Sequence, residues 1–333
     1  MSTLFLIGNG FDLSCGMKTR YADVYNSYCK LQDSDSEVIK QFKQDISSSY
    51  ENWSDFEEGM AEYAKTLDSE EVFVECIKDF RNFLQKYLKQ EENKFNEYVV
   101  ANEELQPLLI KEMRKSLSEY YIGITPRVTK IVNNINKRYG NRIDCISFNY
   151  TSVFDNMMSM AFDTNNTFHI HGQLDNYLIM GMDNEKQIDT SFTLTSRGKQ
   201  AFVKPYFNDE VDPSKMQHAK EMIESADVIC AFGLSFGNSD MTWRKEIISS
   251  LITYKDHHLF LFDYQLACEH NLLVNDKLDS ELLKRNAILK SWGIQNTENY
   301  VNKIHIPCGV KIFNIAEIVE IYRKEKNQKT MTL

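Results

Sequence analysis

Apolar residues follow a helical period over much of the first third of the chain. Between Gly16 and Gly123 the sequence is rich in Glu, Lys, Gln and Leu, with one glycine, Gly59, and one proline, Pro107. Over 73–88 the apolar side chains recur every three or four residues, which places them on one face of a helix. Because helix-breaking residues are so few, the stretch is predicted to form consecutive helices.

Two local signals predict where helices begin. The segment 54–57 reads SDFE, a capping-box pattern in which Ser54 and Glu57 bond to each other's backbone amides. Thr125 and Pro126 open a second predicted helix, because proline favours the first helical position, and Gly140 closes it.

Short apolar segments rich in β-branched and aromatic residues predict strands elsewhere. They lie at 3–7, 143–148, 168–170, 228–232, 259–262 and 310–315, with a further candidate at 177–182. Helical stretches separate most of them, at 152–162, 214–225 and 240–253. Nearly continuous apolar strands that alternate with helices indicate a parallel sheet covered on both faces.

The predicted fold class is therefore α/β, with a Rossmann-like, doubly wound and mainly parallel sheet that carries a large all-helical insertion. Residues 1–20 and 125–322 are predicted to form the sheet core, and residues 21–124 the insertion. Residues 323–333 are predicted to be a flexible tail.

Composition narrows the function classes. The 333 residues include 38 Lys and Arg against 48 Asp and Glu, a net charge of −10, which argues against broad binding to nucleic acid. Seven cysteines, an odd number with no CxxC spacing, indicate reduced thiols and no zinc ribbon. No apolar run reaches the roughly 18–20 residues that span a bilayer, and the N-terminus lacks a signal peptide. A cytoplasmic protein without a membrane segment is expected.

Polar clusters follow the predicted strands, where ligands bind in open α/β sheets. After the first strand comes GNGFD at 8–12, whose glycines permit a tight turn close to a phosphate. Leu13 replaces the third glycine of the dinucleotide fingerprint, so a plain turn capped by Asp12 is the alternative. After 228–232 comes GLSFGNSD at 233–240, a second phosphate-compatible loop in which Ser239 or Asp240 could instead cap a helix.

Two further strand ends carry candidate catalytic side chains. Asn149 either caps a helix or directs its amide at a ribose hydroxyl or a water. His169 and His171 could bind a metal together, but the chain offers no HxxxH or CxxC partner. We expect His169 to be a hydrogen-bonded structural residue, and His171, next to Gly172, to be a general base.

Together these motifs resemble the phage abortive-infection AbiH family. The resemblance rests on GNGFDL at 8–13, WSDFEE at 53–58, SFNYT at 147–151, HIHG at 169–172 and GLSFGNSD at 233–240. In WSDFEE, Trp53 and Glu57 either reach the ligand crevice or serve the core and the helix cap.

The family is more distantly similar to sirtuin-like NAD-binding proteins. Gly8 and Gly10 match the GAG turn of sirtuins, Asn149 the asparagine of their QN motif, and His171 with Gly172 their catalytic HG. Gly233 and Ser235 match their GTS loop. The four zinc cysteines and the GIPDFR segment have no counterpart here, so protein deacylation is not expected.

The resemblance implies an anti-phage effector that hydrolyses NAD between nicotinamide and ribose, with Asn149 orienting ribose or water and His171 as the base. No metal is expected. The predicted nucleotide contacts are Gly8, Asn9, Gly10, Phe11, Asp12, Ser235, Phe236, Asn238 and Asp240.

Two other classes stay open. One is a non-catalytic nucleotide-binding sensor or protein-interaction module that responds to a phage-derived trigger or partner protein. The other is a nuclease or RNA-directed toxin, which the acidic charge disfavours. The apolar insertion helices could also support a homo-oligomer.

Overall fold

The computed structural model describes residues 2–31, 36–122, 124, 126–139, 142–163, 167–263 and 274–331. These residues form one parallel sheet with the strands β1 (Ser2–Ile7), β2 (Arg142–Ser147), β3 (Thr167–His169), β4 (Ala226–Phe232), β5 (His258–Phe262) and β6 (Ile304–His305). The strand order is β3-β2-β1-β4-β5-β6, that of a Rossmann-type doubly wound sheet. The α/β class with a parallel sheet is confirmed.

Helices connect and cover the strands. They are α1 (Gly10–Ser14), α2 (Tyr21–Tyr28), α3 (Glu37–Ser48), α4 (Phe56–Tyr63), α5 (Glu70–Val100), α6 (Gln106–Ser118), α7 (Pro126–Tyr139), α8 (Val153–Phe162), α9 (Ser196–Phe202), α10 (Lys204–Val211), α11 (Ser214–Ser225), α12 (Met241–Thr253), α13 (Val274–Ser291) and α14 (Ile315–Met331). Within the described ranges, none of these helices combines the length and apolarity needed to cross a bilayer.

The sheet buries side chains on both faces. Successive strand residues point to opposite sides, so Phe5 and Ile7 join one apolar cluster while Leu4 and Leu6 join another. Helices α6, α7, α8 and α14 contribute to the first cluster, and α11, α12 and α13 to the second. This is the arrangement expected from strands that read as continuous apolar runs.

The inserted helices divide between two cores. Helices α2, α3, α4 and the first half of α5 form an aromatic cluster with residues that follow β3, and Phe56 stacks on Phe80 at 4.0 Å between ring centroids. Trp53 is buried there and donates from Nε1 to Asp45 Oδ2 at 3.1 Å, so it is a core residue. The second half of α5, with Phe95 and Val99, packs in the sheet core instead. The insertion is therefore anchored along the sheet.

The last strand lies earlier than the sequence pattern predicts. Residues 310–315 form no strand, and β6 at Ile304–His305 pairs with β5. Side chains of α6 take up backbone amides of 310–315 that a neighbouring strand would otherwise bind. Ser116 Oγ accepts from the Phe313 amide at 2.7 Å, and Glu112 Oε1 accepts from the Asn314 amide at 3.0 Å. The prediction of a strand at 310–315 is wrong because apolarity alone does not reveal these partners.

Two other segments differ from expectation. Residues 177–182 form isolated bridges, Gly172 with Leu178 and Met182 with Val203, in place of a regular strand. At the C-terminus, α14 continues to Met331, so most of the segment predicted as a tail has helical structure.

The loops that follow β1 and β4 touch each other through glycine backbone. The Gly8 amide donates to Phe232 O at 2.9 Å and the Gly10 amide to Gly233 O at 3.1 Å. A Cβ on Gly10 would lie 2.3 Å from Gly233 Cα, and Gly233 has φ +71°. No side chain fits between the loops, so both positions require glycine.

We expect Gly10→Ala to destabilise the protein by about 1–3 kcal/mol, because the added methyl group forces the two loops apart. Urea unfolding measures the change in the free energy of unfolding. Gly237→Ala is the matched control, since its Cβ would meet no atom closer than 3.7 Å. Equal stability of the two variants would contradict the close contact.

Candidate functional site

A cleft of about 180 Å³ opens beyond the carboxyl ends of β1, β2 and β4, next to the segment that follows β3. It lies where the chain order of the sheet reverses, between β1 and β4, the position at which doubly wound sheets bind ligands. Of the predicted site residues, the cleft wall includes Asn9, Asp12, Asn149, His171, Ser235 and Asp240. It also includes Glu57 and Tyr21 from the insertion and Lys204 from α10.

His171, Asp240 and Lys204 form a connected chain at the cleft wall. Asp240 Oδ1 lies 3.0 Å from His171 Nε2 and 2.8 Å from Lys204 Nζ. Lys204 Nζ also donates to Ser239 O at 2.6 Å. His171 Nδ1 is buried and has no hydrogen-bond partner among the described residues.

The charges around Asp240 determine which nitrogen of His171 carries the proton. Burial raises the pKa of Asp240, but Lys204 and His171 outweigh that effect and hold the pKa well below its usual range. Burial, followed by the positive charge of Lys204, lowers the pKa of His171. A carboxylate accepts, so the neutral His171 ring donates from Nε2 and leaves the Nδ1 lone pair unused. Such a ring is arranged to accept a proton within the cleft.

Lys204 is a site residue that sequence analysis did not identify. It is 4% exposed, and burial lowers its pKa, but Asp240, Glu57 and Asp183 outweigh that effect and raise it. Backbone pairing places it, because the Lys204 amide donates to Met182 O at 2.9 Å. A single lysine at the start of a helix carries no sequence signal for such a role.

The two histidines of HIHG have different partners. His169 Nδ1 donates to Asn149 O at 3.0 Å, and its Nε2 lies 2.9 Å from Asp155 Oδ2. His169 is thus hydrogen-bonded on both sides and positions the Asn149 backbone, while His171 bonds to Asp240. The two rings do not share a ligand position, and the described residues contain no group of three His, Cys, Asp or Glu arranged for a metal.

Asn149 places a polar side chain at the cleft beside His171. The residue is 6% exposed, and its backbone amide donates to Ser147 Oγ at 3.2 Å. Its Nδ2 atom makes no hydrogen bond with good geometry to any described residue. The Asn149 side chain is nevertheless close enough to Asp12 to lower the pKa of that carboxyl, and its poor hydrogen-bond geometry there leaves the amide available to a ligand or a water.

Asp12 is buried beside Asn149. Both carboxyl oxygens contact Thr151 Oγ1, at 2.9 and 2.8 Å, and the N-cap of α1 is Asn9, with Asp12 inside the helix. Burial raises the pKa of Asp12 to about 7, against the lowering effect of Thr151. Asp240 makes no capping bond to its helix α12. The capping alternative therefore does not apply to either carboxylate.

The glycine loop after β1 has fewer available amides than a phosphate-binding turn. The amides of Gly8, Gly10 and Phe11 donate to Phe232 O, Gly233 O and Gly8 O. Helix α1 has five residues, so no long helix follows the turn. These amides hold the two loops together in this arrangement.

Several of the predicted nucleotide contacts lie outside the cleft. Phe11 packs on Phe154 in the sheet core at 4.9 Å between ring centroids, and Phe236 packs on Trp292 at 5.6 Å. Asn238 Nδ2 donates to Glu58 Oε1 at 2.9 Å and so joins the second loop to the insertion. The residue type alone does not reveal these orientations.

The insertion supplies an acidic side of the cleft. Asp55 Oδ1 accepts from the Glu58 amide at 3.0 Å, so α4 begins at Phe56 with Asp55 as its cap in place of Ser54. This leaves Glu57 free of capping. It accepts from Tyr21 Oη at 2.9 Å, and burial, then Asp55, raise its pKa to about 8.

Two buried carboxylates on α5 hold the site loops from outside. Glu92 Oε1 accepts from the Ser152 amide at 2.5 Å, just after Asn149, Tyr150 and Thr151. Glu91 Oε2 accepts from the Lys18 amide at 3.0 Å, beyond the first glycine loop. Sequence analysis did not identify either residue, since charged residues on a helix usually face solvent.

Comparison with known families agrees with the motif pattern. A family model described as bacteriophage abortive infection AbiH matches residues 4–262, more than half of the chain. A search of curated proteins gave no match. The matched range includes all four loops of the cleft and the whole insertion.

The raised pKa of Glu57 predicts how stability changes with pH. A buried carboxyl that keeps its proton to about pH 8 binds more protons when folded than when unfolded. The free energy of unfolding should therefore fall as pH rises from about 4.5 to 8, by at most about 1.4 kcal/mol per pH unit for this group. Asp12, whose pKa is raised to about 7, should lower the free energy of unfolding in the same way up to about pH 7.

Glu57→Gln should make this slope shallower and raise stability at pH 8 relative to the wild type. Urea unfolding at pH 5, 6, 7 and 8 measures it. Glu62→Gln is the control, because Glu62 lies on the same helix and is exposed. An unchanged slope in Glu57→Gln would show that Glu57 ionises normally in the folded protein.

We expect nitrogen–proton correlation spectra at pH 7 to show His171 neutral and protonated on Nε2. Asp240→Asn removes the carboxylate acceptor and should populate both neutral tautomers. His171→Gln identifies the resonances. A wild-type spectrum with the proton on Nδ1, or with a charged ring, would contradict the assignment.

Proposed function

The chain belongs to the bacteriophage abortive infection AbiH family, and we propose that it is a defence effector that hydrolyses NAD at the nicotinamide–ribose bond in this cleft. The observation that carries the proposal is a pair of buried polar atoms, Asn149 Nδ2 and His171 Nδ1, which make no hydrogen bond of good geometry to the described residues and belong to two residues that line one cavity. One is a donor and the other an acceptor. We propose that a ribose hydroxyl or an attacking water bonds to both.

The proposed reaction is a displacement at C1′ of the nicotinamide ribose. Water attacks C1′ while the bond from C1′ to the pyridinium nitrogen breaks. The bonding electron pair goes to that nitrogen, so neutral nicotinamide leaves without needing an acid. The proton of the water passes to His171 Nδ1, and the products are nicotinamide, ADP-ribose and one proton.

Each polar residue has a role that follows from its contacts. Asn149 Nδ2 donates to the ribose or to the water. His171 accepts the proton, and Asp240, held by Lys204, stabilises the imidazolium that results. Asp12, next to Asn149, is a carboxylate available to the developing positive charge of the oxocarbenium-like transition state.

The sirtuin-like motif order supports the choice of NAD. Four motifs occur here in the same order along the chain as in sirtuins: the glycine turn, the asparagine, the HG pair and the second glycine loop. One residue from each of these motifs lines the same cleft in the structure: Asn9, Asn149, His171 and Ser235.

The alternative is a sensor that binds its nucleotide and leaves it intact.

Incubation of the purified protein with NAD, followed by chromatography for nicotinamide and ADP-ribose, tests the proposal. We expect product from the wild type and a loss of roughly 10²–10⁴-fold in rate in His171→Ala, the size of a positioned-base effect. Asn149→Ala should lower the rate as well, because the ribose or water loses its donor.

His218→Ala is the matched control, since His218 is exposed on α11 away from the cleft. Circular dichroism and melting confirm that each variant is folded. Wild-type rates in folded His171→Ala would remove His171 from the reaction. Intact NAD together with a melting shift would favour the sensor.

A further inference from the structure

We infer that the cleft recognises the cationic nicotinamide–ribose end of its substrate, and that the diphosphate contributes little to binding. The inference rests on the proposed function and narrows its substrate class to ribosyl N-glycosides with a positively charged base. It differs from the expectation of a phosphate-binding glycine turn.

The cleft wall is acidic. Asp12, Asp55, Glu57 and Asp240 line it, and in the described part of the chain Lys204 is its one Lys or Arg side chain. Lys204 is already bonded to Asp240 and to Ser239 O. A diphosphate entering this cleft would meet carboxyl groups and no available ammonium or guanidinium group, which is unfavourable.

The backbone of the first glycine loop does not compensate for this lack of positive side chains. The amides of Gly8, Gly10 and Phe11, the donors that a phosphate-binding turn would present, are used within and between the two loops. Opening them would break the contact between Gly10 and Gly233. The first glycine loop therefore holds the loops after β1 and β4 together beside the cleft.

A pyridinium riboside fits what remains. Asn149 Nδ2 and His171 Nδ1 are buried, make no hydrogen bond of good geometry to the described residues, and suit ribose hydroxyls. Aromatic rings of Tyr21, Phe148 and Tyr150 also line the cleft, and aromatic faces attract flat cations. The volume of about 180 Å³ is below the roughly 300–1,000 Å³ of pockets for drug-sized ligands, so it holds one end of a dinucleotide.

The carboxyl groups favour this end of the substrate for an electrostatic reason. A cation beside Glu57 stabilises its ionised form, and the same carboxylates face the positive charge that develops on the ribose when the glycosidic bond breaks. Ground-state recognition and transition-state stabilisation then use the same side of the cleft.

Hydrolysis of two substrates tests the inference. Nicotinamide release from NAD and from nicotinamide riboside, which has no phosphate, is compared at pH 8.5 with the full-length protein. We expect the two kcat/KM values to agree within about tenfold. Cleavage of NAD with a riboside value more than 100-fold lower would overturn the inference while leaving the proposed function intact.

Binding decides the inference independently of catalysis. The probes are the N-methylnicotinamide cation and neutral nicotinamide, measured by calorimetry at pH 8.5. We expect the cation to bind at least tenfold more tightly, and Asp55→Asn to weaken it at least fivefold. Glu62→Gln, on the same helix but exposed, should bind as the wild type does.

The hydrolysis and binding experiments together distinguish a failure of the proposed function from a failure of this inference. If neither substrate is cleaved but the cation binds selectively, the proposed hydrolysis fails and the inference holds. Equal binding of the cation and neutral nicotinamide, or no binding of either probe, would overturn the inference whatever the rates are. A folded Asp55→Asn protein that binds the cation normally would do the same.

Discussion

The close backbone contact between Gly10 and Gly233 is the constraint on which the site depends. It joins the loops after β1 and β4, the two central strands at which the order of the sheet reverses. With these loops in contact, the Asp12 and Asp240 carboxyls of the following segments lie on one cleft wall. Glycine is required because a Cβ at either position would meet backbone at 2.3–2.4 Å.

Buried charge gives the cleft its chemical character. Asp240 is stabilised as a carboxylate by Lys204, and it fixes His171 with an unused Nδ1 lone pair. Among the described residues, Asp12 and Glu57 form no ion pair, and burial raises their pKa values to about 7 and about 8, against the lowering effect of Lys204 on Glu57. One cleft thus combines a permanent carboxylate, a neutral imidazole and two carboxyls that ionise near neutral pH. Such differences in ionisation between neighbouring groups are typical of functional sites.

The helical insertion is part of the site. Its α4 places Asp55 and Glu57 at the cleft, and Tyr21 on α2 bonds to Glu57. Helix α5 extends from the aromatic cluster to the sheet core, and its Glu91 and Glu92 accept backbone amides beyond two of the site loops. The rigidity of a long helix packed in two cores holds those loops in place, which suits a site that must keep donors and acceptors oriented.

The sequence by itself determined the sheet, most of its strands and the loops that meet at the cleft. The hydrophobic periods of strands and helices are set by residues close together in sequence, so the sequence reveals them. The observed bounds lie within two residues of the predicted ones for β1 to β5 and for α8, α11 and α12. The identities of Asn149, His171 and the glycines marked the strand ends where polar groups collect. The tertiary structure alone decided which of these groups face the cleft. Lys204, Glu91 and Glu92 act through partners at distant positions in the chain, and Phe11 and Phe236 turn into apolar cores. The last strand pairs with β5 at Ile304–His305, while side chains of α6 accept the amides of Phe313 and Asn314. These outcomes depend on contacts between segments far apart in sequence, and no local pattern encodes them.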